Sequence, residues 1–306
     1  MKVSTVVKST ILFGICDIVF AAPVSHHESL VEVLMNSPIS KPISEATFPQ
    51  VDRRANLSLS EFRKEYLYPC RPVVITDAME SWPARRRWTF DYFRSRYGDT
   101  GIEVSRLDGE RYKPGSTETM MLSAFIEGIR RSTFDSYPYY VRDDWQIFKT
   151  NKELLSDYEV PKYFFDWFVF LPGFMKLIYP RIFIGPSGAV TPLHSDIWGT
   201  HAWLAQLVGR KRWILFSSDQ KPLLYDFRVN PRNPDLERFP LFRKTRPIEC
   251  TIGPGDLIFV PGGWAHEVVS LDPTISITHN YMGPGCFRSS LSGSIKQGYA
   301  RIKRGF

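Results

Sequence analysis

Hydrophobic and polar residues change their spacing along the chain. From Leu57, three segments place apolar residues at the spacing of one helix face, and short apolar runs separate them. This pattern predicts helices over 60–67, 88–97 and 119–131, and strands over 72–77, 102–106 and 139–142. The first part of the folded region is therefore predicted to mix helices and strands.

Beyond residue 178 the pattern changes to short strands between turns rich in glycine and proline. The predicted strands span 181–184, 203–208, 212–216, 248–252, 257–260, 267–270 and 274–281. Strands at this spacing are typical of a β-sandwich or barrel. Residues 220–247 hold five prolines and many charges, which predicts a long inserted loop.

The composition is that of one folded domain with extensions. The chain has 306 residues, of which 43% are hydrophobic, so it has enough apolar material for a full core. Its net charge of +7 is modest and gives no clear signal for nucleic-acid binding. The predicted boundaries are a leader at 1–22, a linker at 23–55, a folded domain at 56–285, divided at 178/179 into a mixed part and a strand-rich core, and a basic tail at 286–306.

The amino-terminal leader does not decide in which cellular compartment the protein resides. A basic start, a short apolar run and small residues near Ala21 are typical of a secretory signal, but Asp17 interrupts the apolar run. A retained amino-terminal helix is the alternative. A signal would direct the chain to the secretory pathway or the lumen of the endoplasmic reticulum; otherwise the nucleus or cytoplasm is expected. The run is short for a bilayer, so no membrane span is expected in the mature domain.

The four cysteines are scattered and form no CxxC pair. Cleavage of the leader would remove Cys16 and leave three, and an odd number argues against a disulfide framework. Buried free thiols are therefore predicted.

Three side chains have the chemistry of a metal site. His194 and Asp196 are two residues apart, so in an extended segment they face the same way. His266 ends a turn–strand–turn stretch, PGDLIFVPGGWAH. Two histidines and one carboxylate form the facial triad of non-haem Fe(II) sites, which leaves positions open for a co-substrate and O2. An isolated HxD triplet often occurs by chance. It is the additional stretch PGDLIFVPGGWAH, ending at His266, that favours an iron site.

Lys211 lies close to this candidate site in the sequence. It follows a Gly-Arg turn and begins a strongly apolar strand, so it would place one cation beside the metal. The alternative is a surface cation within the run Arg210-Lys211-Arg212.

Several stretches together carry a family likeness. They are YYVRD, DYEVPKYFFD, IGPSGAVTPLHSD, GTHAWLAQLVGRKRWILF, PGDLIFVPGGWAHEVVSLD and TISITHNY. With them the chain resembles, from about Leu57 to Tyr281, the jumonji-C oxygenases, and most of all the group of bifunctional arginine demethylases and lysyl hydroxylases. This resemblance implies a mainly β fold with flanking helices, a cupin-like double-stranded β-helix or jelly roll, with Fe(II) and 2-oxoglutarate as cofactors.

The resemblance also assigns roles to individual residues. His194, Asp196 and His266 match the metal ligands, and Lys211 matches the anchor of the distal carboxylate of 2-oxoglutarate. Further co-substrate or pocket positions fall on Thr278, Tyr140, Thr191 and Asn280. A buried threonine or tyrosine bonded to the backbone would explain Thr278 and Tyr140 almost as well. Leu204 stands where relatives have an asparagine that contacts the co-substrate.

The implied activity is hydroxylation of a protein side chain, lysine first, or demethylation of an N-methyl arginine or lysine, with release of succinate and CO2. A protein or peptide is the expected partner, and a homodimer is left open. One alternative is a weak or inactive cupin-type module that binds a metal or peptide. Leu204, in place of the asparagine that contacts the co-substrate, is compatible with this alternative. Another is a zinc or manganese cupin acting on a small molecule, which the lysine anchor disfavours.

Overall fold

The computed structural model describes residues 48–108, 111–132, 136–177 and 180–303. The predicted leader and most of the predicted linker lie outside these residues. The strands are β1 (Asp52–Arg54), β2 (Val73–Ile75), β3 (Gly101–Asp108), β4 (Arg111–Met121), β5 (Tyr139–Asp144), β6 (Arg181–Gly185), β7 (Val190–Ser195), β8 (His201–Val208), β9 (Lys211–Phe216), β10 (Ile248–Ile252), β11 (Leu257–Val260), β12 (Ala265–Ser270) and β13 (Thr274–Tyr281).

These described strands form two sheets with an apolar layer between them. The larger sheet has the order β1-β2-β11-β8-β13-β6-β5-β3-β4, and the smaller has the order β10-β9-β12-β7. One buried cluster joins Leu204 and Ile258 of the larger sheet to Trp213, Leu215 and Val268 of the smaller. Two sheets packed over a shared core confirm the predicted jelly roll with flanking helices.

The flanking helices cover the outer face of the larger sheet. They are α1 (Leu59–Phe62, continued by a π-helical turn at Arg63–Leu67), α2 (Ala84–Arg87), α3 (Phe90–Tyr97), α4 (Leu122–Arg131) and α5 (Gln146–Thr150). Phe62, Trp88 and Phe125 from this layer join a buried cluster with Trp203 and Phe259 of the sheet. Within the described residues, the structure has no helix long and apolar enough to cross a membrane.

Two predicted boundaries shift in the structure. The helix predicted over 119–131 begins only at Leu122, because the preceding residues form β4, which pairs with β3. The predicted linker 23–55 already contains β1 at its end, paired in parallel with β2. Both differences come from backbone pairing between strands, which the spacing of apolar residues does not reveal.

The segment 220–247 is packed against the smaller sheet. Short 3-10 helices span Ser218–Leu224 and Pro240–Lys244. Four of its side chains are buried with residues of β7, β9 and β12: Leu224, Val229, Phe239 and Phe242. The predicted loop is therefore a cap on the outer face of the smaller sheet.

The predicted basic tail contains a long helix, α6 (Phe287–Lys303). Gly293 of this helix lies against the indole of Trp198, so closely that a Cβ at this position would overlap the ring. Trp198 itself has a positive φ of 54°, which is rare for a bulky residue. The helix thus packs on the turn that follows Asp196.

We expect Gly293→Leu to destabilise the protein by roughly 1–3 kcal/mol, because the new side chain meets the ring of Trp198. The matched control is Ser292→Leu, on the exposed side of the same helix, with an expected change within about 0.5 kcal/mol. Urea unfolding of both variants measures the difference. Equal free energies of unfolding for the two variants would contradict the contact.

Candidate active site

The pairing of two strands brings the predicted metal ligands together. β7 and β12 are antiparallel neighbours, and His266 lies directly opposite His194. The ring centroids of these histidines are 4.3 Å apart. One ligand atom from each of His194, Asp196 and His266 lies within 4.8 Å of the other two. The structure therefore gathers the predicted facial triad at one point.

The chemistry of this cluster fits a divalent metal ion. The Nδ1 of His194 lies 2.8 Å from the carbonyl oxygen of Pro192, so an N–H there would donate to the backbone and leave Nε2 for a metal. The Oδ2 of Asp196 is buried and accepts no hydrogen bond from any described residue. Burial and the neighbouring His194 hold the pKa of His266 well below its usual range, which keeps the imidazole neutral for ligation.

A short turn fixes the position of Asp196. The 3-10 turn Ile197–Gly199 follows it, and the hydroxyl of Thr200 donates to the carbonyl of Ile197 at 2.8 Å. The amide of Asn280 donates to the same hydroxyl oxygen at 3.1 Å. Asn280 thus links β13 to the turn that carries the carboxylate.

All eight predicted site residues line one cavity, which has a volume of about 150 Å³. They are Tyr140, Thr191, His194, Asp196, Lys211, His266, Thr278 and Asn280. Apolar side chains from both sheets complete the wall, among them Leu204 and Trp213. The cavity reaches the surface at Ile197, which is 43% exposed. A small, mostly apolar cavity with a few polar groups is typical of a ligand site.

Lys211 is a buried cation in this cavity. Its side chain is 1% exposed, and Nζ donates to the hydroxyls of Ser276 at 2.7 Å and Tyr140 at 3.2 Å. Among the described residues it forms no ion pair, and burial lowers its pKa to about 7. Its neighbours Arg210 and Arg212 face outward and pair with Asp272 and Glu249 respectively. The surface-cation alternative is therefore wrong.

Ser276 is a site residue that the sequence reasoning missed. It is fully buried on β13 and accepts the shorter of the two hydrogen bonds from Lys211. A signal was present, because Ser276, Thr278 and Asn280 alternate along one strand and share a face.

The other hydroxyls have different roles in this structure. Thr278 donates to the carbonyl of Trp203 at 2.6 Å, so its proton is already used and its oxygen can only accept. The hydroxyl of Tyr140 accepts a hydrogen bond from the Nζ of Lys211 at 3.2 Å. Thr278 therefore matches the alternative of a buried hydroxyl bonded to the backbone. Tyr140 instead contacts Lys211.

His201, which is near the triad in sequence, has a structural role. Its Nδ1 accepts from the backbone N–H of Gly262 at 2.8 Å, and its Nε2 donates to the carbonyl of Pro284 at 2.6 Å. Burial lowers its pKa to about 4, so it is neutral with both nitrogens bonded. It fixes the turn that precedes His266.

Comparison with known proteins places this architecture in a family. The profile of the cupin-like domain matches residues 59–284, which is most of the chain. The chain belongs to the cupin-like domain family. This match spans β2 to β13, the helices that cover the larger sheet and every residue of the cavity.

Relatives of this cupin-like chain carry the names that the jumonji-C resemblance predicts. It is 34% identical over 246 residues to the lysine-specific demethylase JMJ21 of Arabidopsis thaliana, covering 76% of this chain and 25% of that protein. It is 28% identical to the 2-oxoglutarate and iron-dependent oxygenase JMJD4 of Gallus gallus, covering 77% of this chain and 60% of that protein. It is 30% identical to the bifunctional arginine demethylase and lysyl-hydroxylase psr-1 of Caenorhabditis elegans, covering 74% of this chain and 59% of that protein. The chain thus spans a quarter to about three fifths of these relatives.

We expect Lys211→Met to raise the free energy of unfolding at pH 7, because it removes a buried cation. The folded pKa of about 7 lies below the ordinary value of 10.5, so between these values the unfolded chain binds more protons. The lysine therefore costs most stability at and below pH 7, and the gain from methionine shrinks as the pH rises toward 10.5. The pH-dependent part of this gain in the free energy of unfolding is a few kcal/mol, since a shift of one pKa unit corresponds to about 1.4 kcal/mol.

Urea unfolding at several pH values between 6.5 and 9.5, chosen as roughly spanning the titration, measures this effect. Lys152→Met, at an exposed position, is the control and should change the free energy of unfolding by no more than about 0.5 kcal/mol. A Lys211→Met protein that is less stable than the parent, with the parent's pH slope, would contradict a buried cation.

Proposed function

We propose that this chain is an Fe(II)- and 2-oxoglutarate-dependent oxygenase that acts on a protein side chain. The observation that carries the proposal is one cavity that contains both a two-histidine, one-carboxylate cluster and a buried lysine. The names of the relatives support the same chemistry, since JMJD4 is called an iron- and 2-oxoglutarate-dependent oxygenase.

His194, Asp196 and His266 would hold the metal from one side, and the cavity lies on the other. A facial set of three protein ligands leaves the remaining positions for a co-substrate and O2. When bound, Fe(II) supplies the activation of O2 that oxidises 2-oxoglutarate to succinate and CO2 and a C–H bond of the substrate to an alcohol. Asp196 contributes the negative charge of the ligand set, and its otherwise unpartnered Oδ2 gains a partner.

Lys211 would bind the distal carboxylate of 2-oxoglutarate. An ammonium has three donors, and Ser276 and Tyr140 use two of them, which leaves one for the ligand. Because a nearby anion favours the charged form, binding would keep Lys211 protonated in spite of its burial.

The apolar wall completes the co-substrate site. By the jumonji-C resemblance Leu204 stands where relatives have an asparagine that contacts the co-substrate, so one hydrogen bond worth about 1 kcal/mol would be lost, while the leucine side chain lines the cavity. Trp213 packs against the ring of His266 at a centroid distance of 5.3 Å. These residues exclude bulk water from the space beside the ligands, which strengthens the charged contacts there.

The substrate would be a protein side chain, with lysine first and N-methyl arginine or lysine second. This follows from the names of psr-1 and JMJ21, which join lysyl hydroxylation and demethylation. The two outcomes share one reaction, because hydroxylation of an N-methyl carbon gives an unstable product that releases formaldehyde. The position of the accepted C–H bond decides between them.

A weak or inactive binding module is the second candidate. The observations that favour it are Leu204 and the hydroxyl of Thr278, which is already bonded to the backbone. The intact triad and Lys211 weigh against it.

Anaerobic reconstitution tests the proposal. We expect the parent with Fe(II) to develop a visible metal-to-ligand absorbance when 2-oxoglutarate is added, and to form succinate when air and a peptide pool follow. His194→Ala should lose both signals, by more than the roughly 10–100-fold that changes around a ligand cause. Ser195→Ala, between the ligands but outside the cavity lining, is the matched control.

Equal consumption of 2-oxoglutarate by His194→Ala and the parent would show that the site is wrongly assigned. Absorbance without any succinate would favour the binding module.

A further inference from the structure

A surface turn between β1 and α1 carries a short sequence that the proposed function does not use. Asn56-Leu57-Ser58 has the form N-x-S, which is the acceptor sequence for N-linked glycosylation. None of the five other asparagines of the chain is followed two residues later by a serine or threonine. Any N-linked glycan of this type would therefore be attached to Asn56.

The fold presents both ends of this acceptor sequence to solvent. Asn56 and Ser58 are exposed, whereas Leu57 between them is 1% exposed and belongs to the core. The carbonyl of Leu57 accepts a hydrogen bond from the hydroxyl of Tyr163 at 2.6 Å, and the backbone N–H of Asn56 donates to Asp77 at 2.6 Å. The turn is thus held by its backbone and its middle residue, and the asparagine side chain stays on the outside.

The side-chain amide of Asn56 has room for a large substituent. It makes no hydrogen bond to any residue that the structure describes. Beside it lies a pocket of about 550 Å³, whose wall includes Ser81, Trp82 and Lys162. This pocket shares no lining residue with the site cavity. A glycan, which is bulky and needs open surface, would therefore fit here without covering the candidate active site.

Local conformation alone would also explain these residue types. Asn56 has a φ of 53°, and asparagine tolerates positive φ better than most residues. The hydroxyl of Ser58 accepts from the N–H of Glu61 at 3.1 Å, and the Glu61 carboxylate accepts from the N–H of Ser58 at 2.8 Å, which is a capping box. Both roles can be kept by residues that destroy the acceptor sequence, so the two explanations are separable.

The amino-terminal leader favours the glycosylation explanation. Its basic start, its short apolar run and the small residues near Ala21 are typical of a secretory signal, although Asp17 interrupts the run. An N-x-S sequence acts as a glycan acceptor only in a chain that enters the secretory pathway. The leader and the exposed acceptor sequence are separate features that indicate the same compartment.

We propose that the chain enters the secretory pathway and carries an N-linked glycan on Asn56. The co-reactant is an oligosaccharide whose first N-acetylglucosamine is linked to a polyprenyl diphosphate, and a lumenal transferase catalyses the step. The Nδ2 of Asn56 forms a bond to the anomeric carbon of this sugar, and the bond from that carbon to the diphosphate oxygen breaks. The polyprenyl diphosphate leaves with the electron pair of the broken bond, and the amide loses one proton.

Enzymatic deglycosylation tests the proposal. The full chain with a carboxy-terminal epitope tag is expressed from its own Met1 in cultured eukaryotic cells, and the product is digested with peptide N-glycosidase F. We expect the product to migrate faster after digestion, by the mass of one glycan. Because this enzyme converts the carrier asparagine to aspartate, mass spectrometry of the tryptic peptide 55–63 should show the conversion at position 56.

Three variants separate glycosylation from local conformation. Asn56→Gly keeps the positive φ, and Ser58→Asp keeps a side-chain acceptor at the start of α1, yet each destroys the acceptor sequence. Both variants should lose the change in migration on digestion. Ser58→Thr keeps the acceptor sequence and the cap, and should retain that change.

A parent whose migration and peptide mass do not change on digestion overturns the proposal. A change in migration that persists in Asn56→Gly or Ser58→Asp, or that is lost in Ser58→Thr, overturns it as well. If a variant fails to fold, the mass of the parent's peptide 55–63 still decides. The proposal goes beyond the proposed function and does not depend on it, because the anaerobic absorbance titration with 2-oxoglutarate reports on a separate part of the molecule.

Discussion

The pairing of β9, β12 and β7 is the constraint on which the site depends. β12 lies between the other two, with His266 opposite His194 on one side and Ser270 opposite Lys211 on the other. One register therefore fixes the positions of the two histidines of the proposed metal site and of the buried cation. Four residues of strand, about 13 Å, separate the two ends, and the cavity lies along this interval. A slip of one residue would turn His266 away from the cavity.

Much of the site was predictable because strand alternation is a local rule. It places His194 with Asp196, and it separates Lys211 from Arg210 and Arg212, as the structure shows. Ser276 was accessible to the same rule but was missed, because no motif pointed to it. The bond from Thr278 to Trp203 was not predictable, since it depends on the rotamer of a hydroxyl between two paired strands.

The departures from the predicted elements come from tertiary contacts that the local spacing of apolar residues does not reveal. β4 pairs with β3 although its end has helical spacing, and the segment 220–247 is buried although it is rich in proline and charge. The role of α6 depends on one small residue, Gly293, meeting the ring of Trp198. Trp198 lies far from Gly293 in the sequence, whereas β3 and β4 are neighbours in sequence whose pairing is hidden by the helical spacing at the end of β4. The leader, for which a secretory signal and a retained helix are both alternatives, lies outside the described residues, and a homodimer stays untested.

The central claim is that one cavity holds a metal at the triad and a dicarboxylate on Lys211. A crystal structure grown with Mn(II) and 2-oxoglutarate, with anomalous data for the metal, tests it most directly. The account predicts one anomalous peak bonded to His194, Asp196 and His266, and a ligand carboxylate within hydrogen-bonding distance of the Nζ of Lys211. A metal held by other residues, or a ligand whose carboxylates both avoid that ammonium, would contradict it.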